Sequence, residues 1–132
     1  LSERQSGQTE EILDRQMEGG LAGVSEAEAA TIVIAYEPVW AISKGGRDFK
    51  NHSIPTPELV SDVVRAIRRQ VTHLYGKKVA ESVRIIYGGS TSGANAKSFL
   101  SVPDLDGLLP GGASLQIEEF KAIIQAAHER GR

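Results

Sequence analysis

Three short segments of this sequence carry the residues best suited to chemistry, and each directly follows an apolar run. They are Glu37-Pro38, Gly88-Gly89-Ser90 and Gly111-Gly112. A carboxylate at the end of a buried strand is costly to desolvate, so the first segment could supply a proton acceptor. The same glutamate could equally be a partly solvated strand-end residue that pairs with a neighbour.

The two glycine pairs suit the binding of a small anion. Each pair offers backbone N–H groups with no side chain in the way, and a predicted helix start behind each adds a favourable field. Neither pair forms a dinucleotide-binding or Walker-type fingerprint, and either one alone could simply be a tight turn. Together, Gly88-Gly89-Ser90 and Gly111-Gly112 predict a shared phosphate site.

The secondary structure predicted around the three candidate segments alternates between strands and helices. Continuous apolar runs predict strands at 32–36, 83–87 and 105–109, and helical spacing predicts helices at 9–21, 56–74, 94–100 and 116–128. Ser25 followed by Glu28 is a capping-box signature, so a short helix begins there too. Thr56 suits an N-cap and Pro57 a first helical position.

This order predicts an α/β chain in one continuous piece, with three parallel strands joined by helices. Each of the three candidate segments then lies at the carboxyl end of a strand, the rim on which α/β barrels build active sites. A three-stranded open sheet leaves two unpaired edges, so we expect further strands or a partner. The polar stretch 43–56 is predicted as a long loop.

The composition and charge of the sequence exclude several classes of function. The 132 residues are 40% hydrophobic and 24% charged with a net charge of -2, which is typical of a soluble globular protein with no basic face for nucleic acid. There is no cysteine, and three scattered histidines predict no zinc site. The apolar stretch 31–42 is shorter than the roughly 20 residues that span a bilayer. The first residues do not have the pattern of a signal peptide and are typical of a segment from the middle of a chain. A cytoplasmic, metal-free protein is expected.

Specific motifs resemble the triosephosphate isomerases. The signature of that family resembles Ala35-Tyr36-Glu37-Pro38-Val39-Trp40-Ala41-Ile42. The segments 84–90 and 106–115 resemble the seventh and eighth strands of the family with their phosphate loops, in the same order and spacing. Residues 1–9 are similar to the stretch that leads into the fifth helix, so the resemblance covers nearly the whole chain.

The resemblance implies the C-terminal portion of a (β/α)₈ barrel, with residues 1–132 running from about the fifth helix through the eighth βα unit. It implies interconversion of dihydroxyacetone phosphate and glyceraldehyde 3-phosphate through an enediolate, without cofactor or metal, in a homodimer. Closure of a loop over a glutamate base is a known property of that family, and the resemblance extends it to this chain.

The same resemblance assigns residue roles. Glu37 is the base, and Arg68 with Asp104 forms a structural ion pair. Tyr87 is a latch that hydrogen-bonds the closed lid. Backbone N–H groups that hold the phosphate belong to Ser43, Ser90, Gly111 and Gly112. The first part of the lid consists of Pro38, Val39, Trp40, Ala41 and Ile42, in which Trp40 and Ile42 could also be plain hydrophobic anchors.

The sequence departs from the family pattern in three ways. The lid continues through Ser43 and a stretch to Pro55 that is longer than the usual glycine-rich run. Pro110 stands where the family generally has valine, which removes a ladder donor from a strand. The phosphate-side lysine, the electrophilic histidine and the first four strands would lie upstream of Leu1. We therefore expect negligible isomerase activity from this polypeptide without an N-terminal half-barrel.

Two other interpretations remain. One is a noncatalytic half-barrel that associates with itself or a partner and keeps the motif without the reaction. The other is a different phosphate-binding barrel, such as an aldolase-like enzyme or one of amino-acid biosynthesis, which would explain the glycine pairs but not the run from Tyr36 to Trp40.

Overall fold

The computed structural model of the chain describes residues 7–41 and 54–131. Six α-helices and three strands lie in this part, and short 3₁₀ turns occur at Val39–Ala41 and Gly112–Leu115. The helices are α1 (Thr9–Gly20), α2 (Glu26–Ala29), α3 (Pro57–Tyr75), α4 (Lys77–Ser82), α5 (Gly93–Leu100) and α6 (Ile117–Glu129), and the strands are β1 (Val33–Tyr36), β2 (Arg84–Tyr87) and β3 (Gly107–Leu108). Helix α4 and both 3₁₀ turns were not predicted, since six residues or fewer give too little periodicity. None of the described helices is both long and apolar enough to cross a membrane.

Capping explains where two of the helices begin. The Ser25 N–H donates to Glu28 Oε2 at 2.9 Å, which completes the predicted capping box of α2. The Thr56 hydroxyl accepts from the Leu59 N–H at 3.4 Å, and Pro57 takes the first position of α3. Gly76 follows the last residue of α3, and its φ of 84° favours glycine. Both predicted helix starts are confirmed.

The three strands form one parallel sheet in the order β1-β2-β3. Tyr36 pairs with Tyr87, and Tyr87 in turn pairs with Leu108, so the carboxyl ends of the strands lie side by side. Strand β3 is only two residues long; the Leu109 N–H still donates to the Tyr87 carbonyl at 2.8 Å, and Pro110 then offers no donor. The predicted α/β class and parallel arrangement are confirmed.

The core lies on one face of this sheet. Ile85 and Tyr87 are fully buried there, packed with Val63 and Ile67 of α3 and Phe99 of α5. On the opposite face Val33 is 46% exposed and Ala35 is also exposed. The continuous apolar run at 32–36 is typical of a strand buried on both faces of a parallel sheet, and this expectation is wrong for the part of the chain described, because no described helix or strand packs over that second face.

An arginine closes the amino ends of β2 and β3. Arg68 of α3 donates to the carbonyls of Ala80 at 2.5 Å and Val83 at 2.6 Å, and to the Asp104 carbonyl at 2.9 Å. Its carboxylate partner is Asp106 at 3.2 Å.

The predicted ion pair between Arg68 and Asp104 is therefore wrong in its acidic member. Asp104 adopts a φ of 61°, a turn conformation in which its carbonyl oxygen, and not its side chain, faces the guanidinium. The Asp106 carboxylate meets Arg68 and also accepts the Ile85 N–H at 2.8 Å.

Candidate active site

The three segments singled out from the sequence meet at the carboxyl edge of the sheet. Glu37 follows β1, Gly88 to Ser92 follows β2, and Gly111-Gly112 follows β3. The segment from Gly88 to Ser92 is called the phosphate loop below. A cavity of about 520 Å³ opens between this loop and Gly111-Gly112, and Glu119 of α6 also lines it. Parallel pairing thus brings both glycine pairs to one pocket, as the sequence predicted.

Glu37 stands beside the phosphate loop and is exposed to solvent. A Cβ atom on Gly88 would lie 2.6 Å from Glu37 Cγ, so the glutamate side chain occupies the space that any larger residue at position 88 would need. The Gly88 N–H donates to the Tyr36 carbonyl at 2.9 Å, which ties the two segments together. Over residues 7–41 and 54–131, no three His, Asp or Glu side chains are grouped so that they could hold a metal ion.

The second glycine of the loop covers a buried tyrosine. A Cβ atom on Gly89 would fall on the Tyr87 hydroxyl, so the phenol lies directly under the loop backbone. The Tyr87 ring stacks on Phe99 at a centroid distance of 4.5 Å. Its hydroxyl is buried and has no hydrogen-bond partner among the described residues. Burial raises the pKa of Tyr87 well above its ordinary value, and nearby Tyr36 adds to the increase.

The segment after Glu37 is tied to the phosphate loop. Pro38, Trp40 and Ala41 are buried, whereas Val39 is 68% exposed. The Ala41 carbonyl accepts two hydrogen bonds from Ser90, at 3.1 Å from the backbone N–H and at 2.7 Å from Oγ. In this arrangement Trp40 is packed as a hydrophobic anchor would be. The other predicted lid and phosphate residues, Ile42 and Ser43, lie outside the described residues.

The glycines that follow β3 have different surroundings. Apart from the adjacent residues, no described protein atom lies within 4 Å of a Cβ placed on Gly111 or Gly112. The Gly111 carbonyl accepts from the Ser114 N–H at 2.9 Å and from its hydroxyl at 2.7 Å, which shapes the 3₁₀ turn. The backbone of both glycines therefore faces the cavity without crowding, an arrangement suited to the close approach of an anion.

Two polar side chains behind the phosphate loop were not predicted. Asn95 of α5 donates from Nδ2 to the Ser90 carbonyl at 3.1 Å and accepts the Ser92 N–H on Oδ1 at 2.8 Å. Glu119 accepts the Gly93 N–H on Oε2 at 2.7 Å. The spacing of Ser92 and Asn95 is a capping signal that could have identified Asn95. Glu119 is 26 residues from its partner and has no local signal.

Comparison with known proteins agrees with this geometry. The sequence model of the family described as triosephosphate isomerase matches residues 1–127. The chain is 46% identical over 124 residues to the triosephosphate isomerase of Solibacter usitatus (strain Ellin6076), a match over 94% of this chain and 47% of the relative. It is 44% identical over 127 residues to that of Herminiimonas arsenicoxydans, covering 96% of this chain and 48% of the relative. The chain thus spans about half the length of the curated relatives it matches. By its sequence and its fold, the chain belongs to the triosephosphate isomerase family.

Proposed function

We propose that residues 1–132 supply the fifth helix through the eighth βα unit of a triosephosphate isomerase. Together with the complementary half-barrel, they would interconvert dihydroxyacetone phosphate and glyceraldehyde 3-phosphate. The observation that carries this proposal is the meeting of Glu37 and both glycine pairs on one edge of the sheet. A cytoplasmic location and a homodimer for the assembled enzyme are expected from the family, not from these residues.

Glu37 is the proposed base. Its carboxylate would take a proton from the substrate carbon next to the carbonyl, which leaves an enediolate, and return the proton to the neighbouring carbon. The hydroxyl proton passes from one oxygen of the enediolate to the other, so that no group is gained or lost. Because Gly88 has no Cβ atom, the Glu37 side chain has room beside the phosphate loop. A lysine and a histidine that polarise the substrate carbonyl are expected from the complementary half.

The phosphate group would be held by the backbone N–H groups of Ser90, Gly111 and Gly112, together with that of Ser43. Both glycine pairs and Ser90 line one cavity, so their backbone N–H groups are near enough to share such a dianion. Ser90 donates to the Ala41 carbonyl in the structure, so a bound phosphate has to replace this contact. Phosphate binding would thereby release the segment from Pro38 to Ala41, the first part of the lid.

Tyr87 is the proposed latch of that lid. Its hydroxyl is buried at the loop and has no partner among the described residues, so it retains a donor and an acceptor that a closing segment can satisfy. A hydroxyl of this kind favours the closed lid because burial without a partner is costly. This supports the latch role independently of the Glu37 geometry.

The test is complementation. The chain is co-expressed with the N-terminal half of the Solibacter usitatus relative, and isomerase turnover is measured for the purified pair. We expect activity from the pair, and a decrease on the order of a hundredfold or more when Glu37→Asp withdraws the carboxylate by one methylene. Glu26→Asp, an exposed change on α2, is the matched control and should leave turnover unchanged. Full turnover in the Glu37→Asp pair would remove Glu37 from the base role.

A second candidate is a noncatalytic half-barrel that associates with itself. The exposed face at Val33 and Ala35, with β1 and β3 as the outer strands of the described sheet, favours association through this surface. Sedimentation equilibrium of the chain alone and with the complementary half separates the two. A stable homodimer that excludes the other half and gives no turnover supports this candidate and contradicts the enzyme.

A further inference from the structure

We infer that Asn95 is a positioning residue for the phosphate loop, a role that rests on the proposed phosphate site. Asn95 lies in the first turn of α5, directly behind the loop. Its carboxamide holds the backbone on both sides of Thr91, at the Ser90 carbonyl and the Ser92 N–H. The proposed phosphate donor Ser90 is thus itself one of the two residues that Asn95 fixes.

The two hydrogen bonds of Asn95 use opposite ends of one planar group. Nδ2 donates at 3.1 Å and Oδ1 accepts at 2.8 Å, and both bonds are partly buried. An amide can do both at once, whereas a carboxylate can only accept and a hydroxyl is too short to reach both sides. The pair of contacts therefore sets the direction of the Ser90 carbonyl and the course of the backbone through Thr91.

Asn95 is itself held on a rigid support. Its neighbour Ala96 is fully buried and Phe99 is buried one turn further along α5. The Gly93 N–H, next to the loop, is bound by Glu119 of α6 at 2.7 Å, and a Cβ on Gly93 would lie 2.7 Å from the Ala122 Cβ. The end of the loop is therefore fixed by packing as well as by hydrogen bonds.

Positioning matters because backbone amides cannot turn toward a ligand independently of the chain. A loop whose backbone course is already fixed loses less conformational entropy when it binds phosphate. Asn95 has a competing explanation as a plain helix cap, which would affect the stability of α5 but not the affinity for phosphate. The two explanations differ in what happens when only the donor is removed.

The variant Asn95→Asp distinguishes the positioning role from a plain helix cap. The aspartate keeps an acceptor for the Ser92 N–H and suits the positive end of α5, but it cannot donate to the Ser90 carbonyl. Ser98→Asp, on the same helix and with its hydroxyl bonded to the Asn95 carbonyl, controls for the added charge. Asn95→Ala removes both contacts.

The ¹⁵N-labelled chain and these variants are titrated with inorganic phosphate while the amide signals of Ser90, Gly111 and Gly112 are followed. Thermal unfolding is recorded in parallel. We expect Asn95→Asp to bind phosphate about five- to tenfold more weakly than Ser98→Asp, with a thermal midpoint close to that of the unmodified chain. Asn95→Ala should show the same weakening and a lower midpoint.

The outcomes that overturn the inference are distinct. If the phosphate affinities of Asn95→Asp and Ser98→Asp agree within twofold, the positioning role is wrong and the phosphate site is unaffected. The positioning role is also wrong if the affinity decreases only in proportion to the fraction of unfolded protein. If the unmodified chain shows no phosphate-dependent shift at Ser90, Gly111 or Gly112, the phosphate site and the positioning role both fall.

Discussion

The two ends of the three-stranded sheet differ in how fully their polar groups are hydrogen-bonded. At the amino ends of β2 and β3, Arg68 satisfies three backbone carbonyls and the Asp106 carboxylate. At the carboxyl ends, the buried hydroxyls of Tyr87 and Thr91 find no partner among the described residues, and Gly111 and Gly112 face open space. The hydrogen bonds at the amino ends stabilise the fold, and the unused hydrogen-bonding groups at the carboxyl ends suit the proposed binding site.

The comparison also separates the two glycine pairs at the carboxyl end. Positions 88 and 89 require glycine because a Cβ atom there would clash with the side chains of Glu37 and Tyr87, respectively. Gly111 and Gly112 meet no such neighbour in the described structure, so in the proposed phosphate site the absence of a side chain there would leave the backbone accessible. The first pair therefore positions protein groups, and the second is left open to a ligand.

Arg68→Met should have the largest effect on stability, because it removes the hydrogen-bond donor at the amino ends of β2 and β3. The Arg68 side chain is 22% exposed and donates to four acceptors, so we expect a loss of about 3 kcal/mol in the free energy of unfolding. Urea denaturation of the chain measures this. Arg65→Met, which breaks only an exposed pair with Asp62, should change stability by less than about 0.5 kcal/mol. Equal losses in the two variants would contradict the assignment of stability to the amino ends.

Gly89→Ala should come next and should differ sharply from Gly112→Ala. The added methyl at position 89 falls on the Tyr87 phenol, so the loop or the ring must move, at a cost of about 2 kcal/mol. At position 112 the methyl meets no described atom, and the free energy of unfolding should change by less than about 0.5 kcal/mol. The same urea experiment compares them.

Phosphate titration completes the comparison of the two glycine variants. Gly112→Ala should lower the affinity for inorganic phosphate although the fold is unchanged, since the methyl then occupies the side from which the anion approaches. If Gly112→Ala destabilises the chain as much as Gly89→Ala does, the distinction between a packed pair and an open pair is wrong.

Tyr87→Phe should stabilise the chain slightly. The hydroxyl is buried without a described partner, and its removal keeps the ring contact with Phe99, so a gain of about 1 kcal/mol is expected in urea denaturation. In the complemented enzyme the same change should lower turnover, because the proposed latch is lost. A loss of stability in the isolated chain would show that the hydroxyl is already hydrogen-bonded there.

The sequence predicted the strands, the longer helices and their parallel order, because these depend on local periodicity and on caps such as Ser25 and Thr56. It also brought Glu37 and both glycine pairs to one edge, since parallel strands place their carboxyl ends together. What it missed depends on contacts between distant segments. The partner of Arg68 turned on the backbone angle of Asp104, and the bond between Glu119 and Gly93 joins residues far apart in sequence.

An effect no larger than that of Tyr87→Phe is expected from pH, and it arises at the carboxyl end alone. Burial raises the pKa of the Tyr87 phenol in the folded chain above the ordinary value of about 10. The neutral phenol is the form that the fold accommodates, so this contribution to stability is complete below about pH 10. Above that pH the unfolded chain releases the proton first, holds fewer protons than the folded chain, and becomes relatively more favourable.

We therefore expect the unmodified chain to lose about 1 kcal/mol more than Tyr87→Phe when the pH is raised from about 9 to about 11. Urea denaturation of both proteins at each pH gives this difference, and charges elsewhere cancel because they are common to the two. Parallel pH profiles would mean that the phenol ionises as easily in the folded chain as in the unfolded one. The hydroxyl would then be in contact with water, and the carboxyl end would lack one of the two buried hydroxyls without a described partner that distinguish it from the end where Arg68 binds.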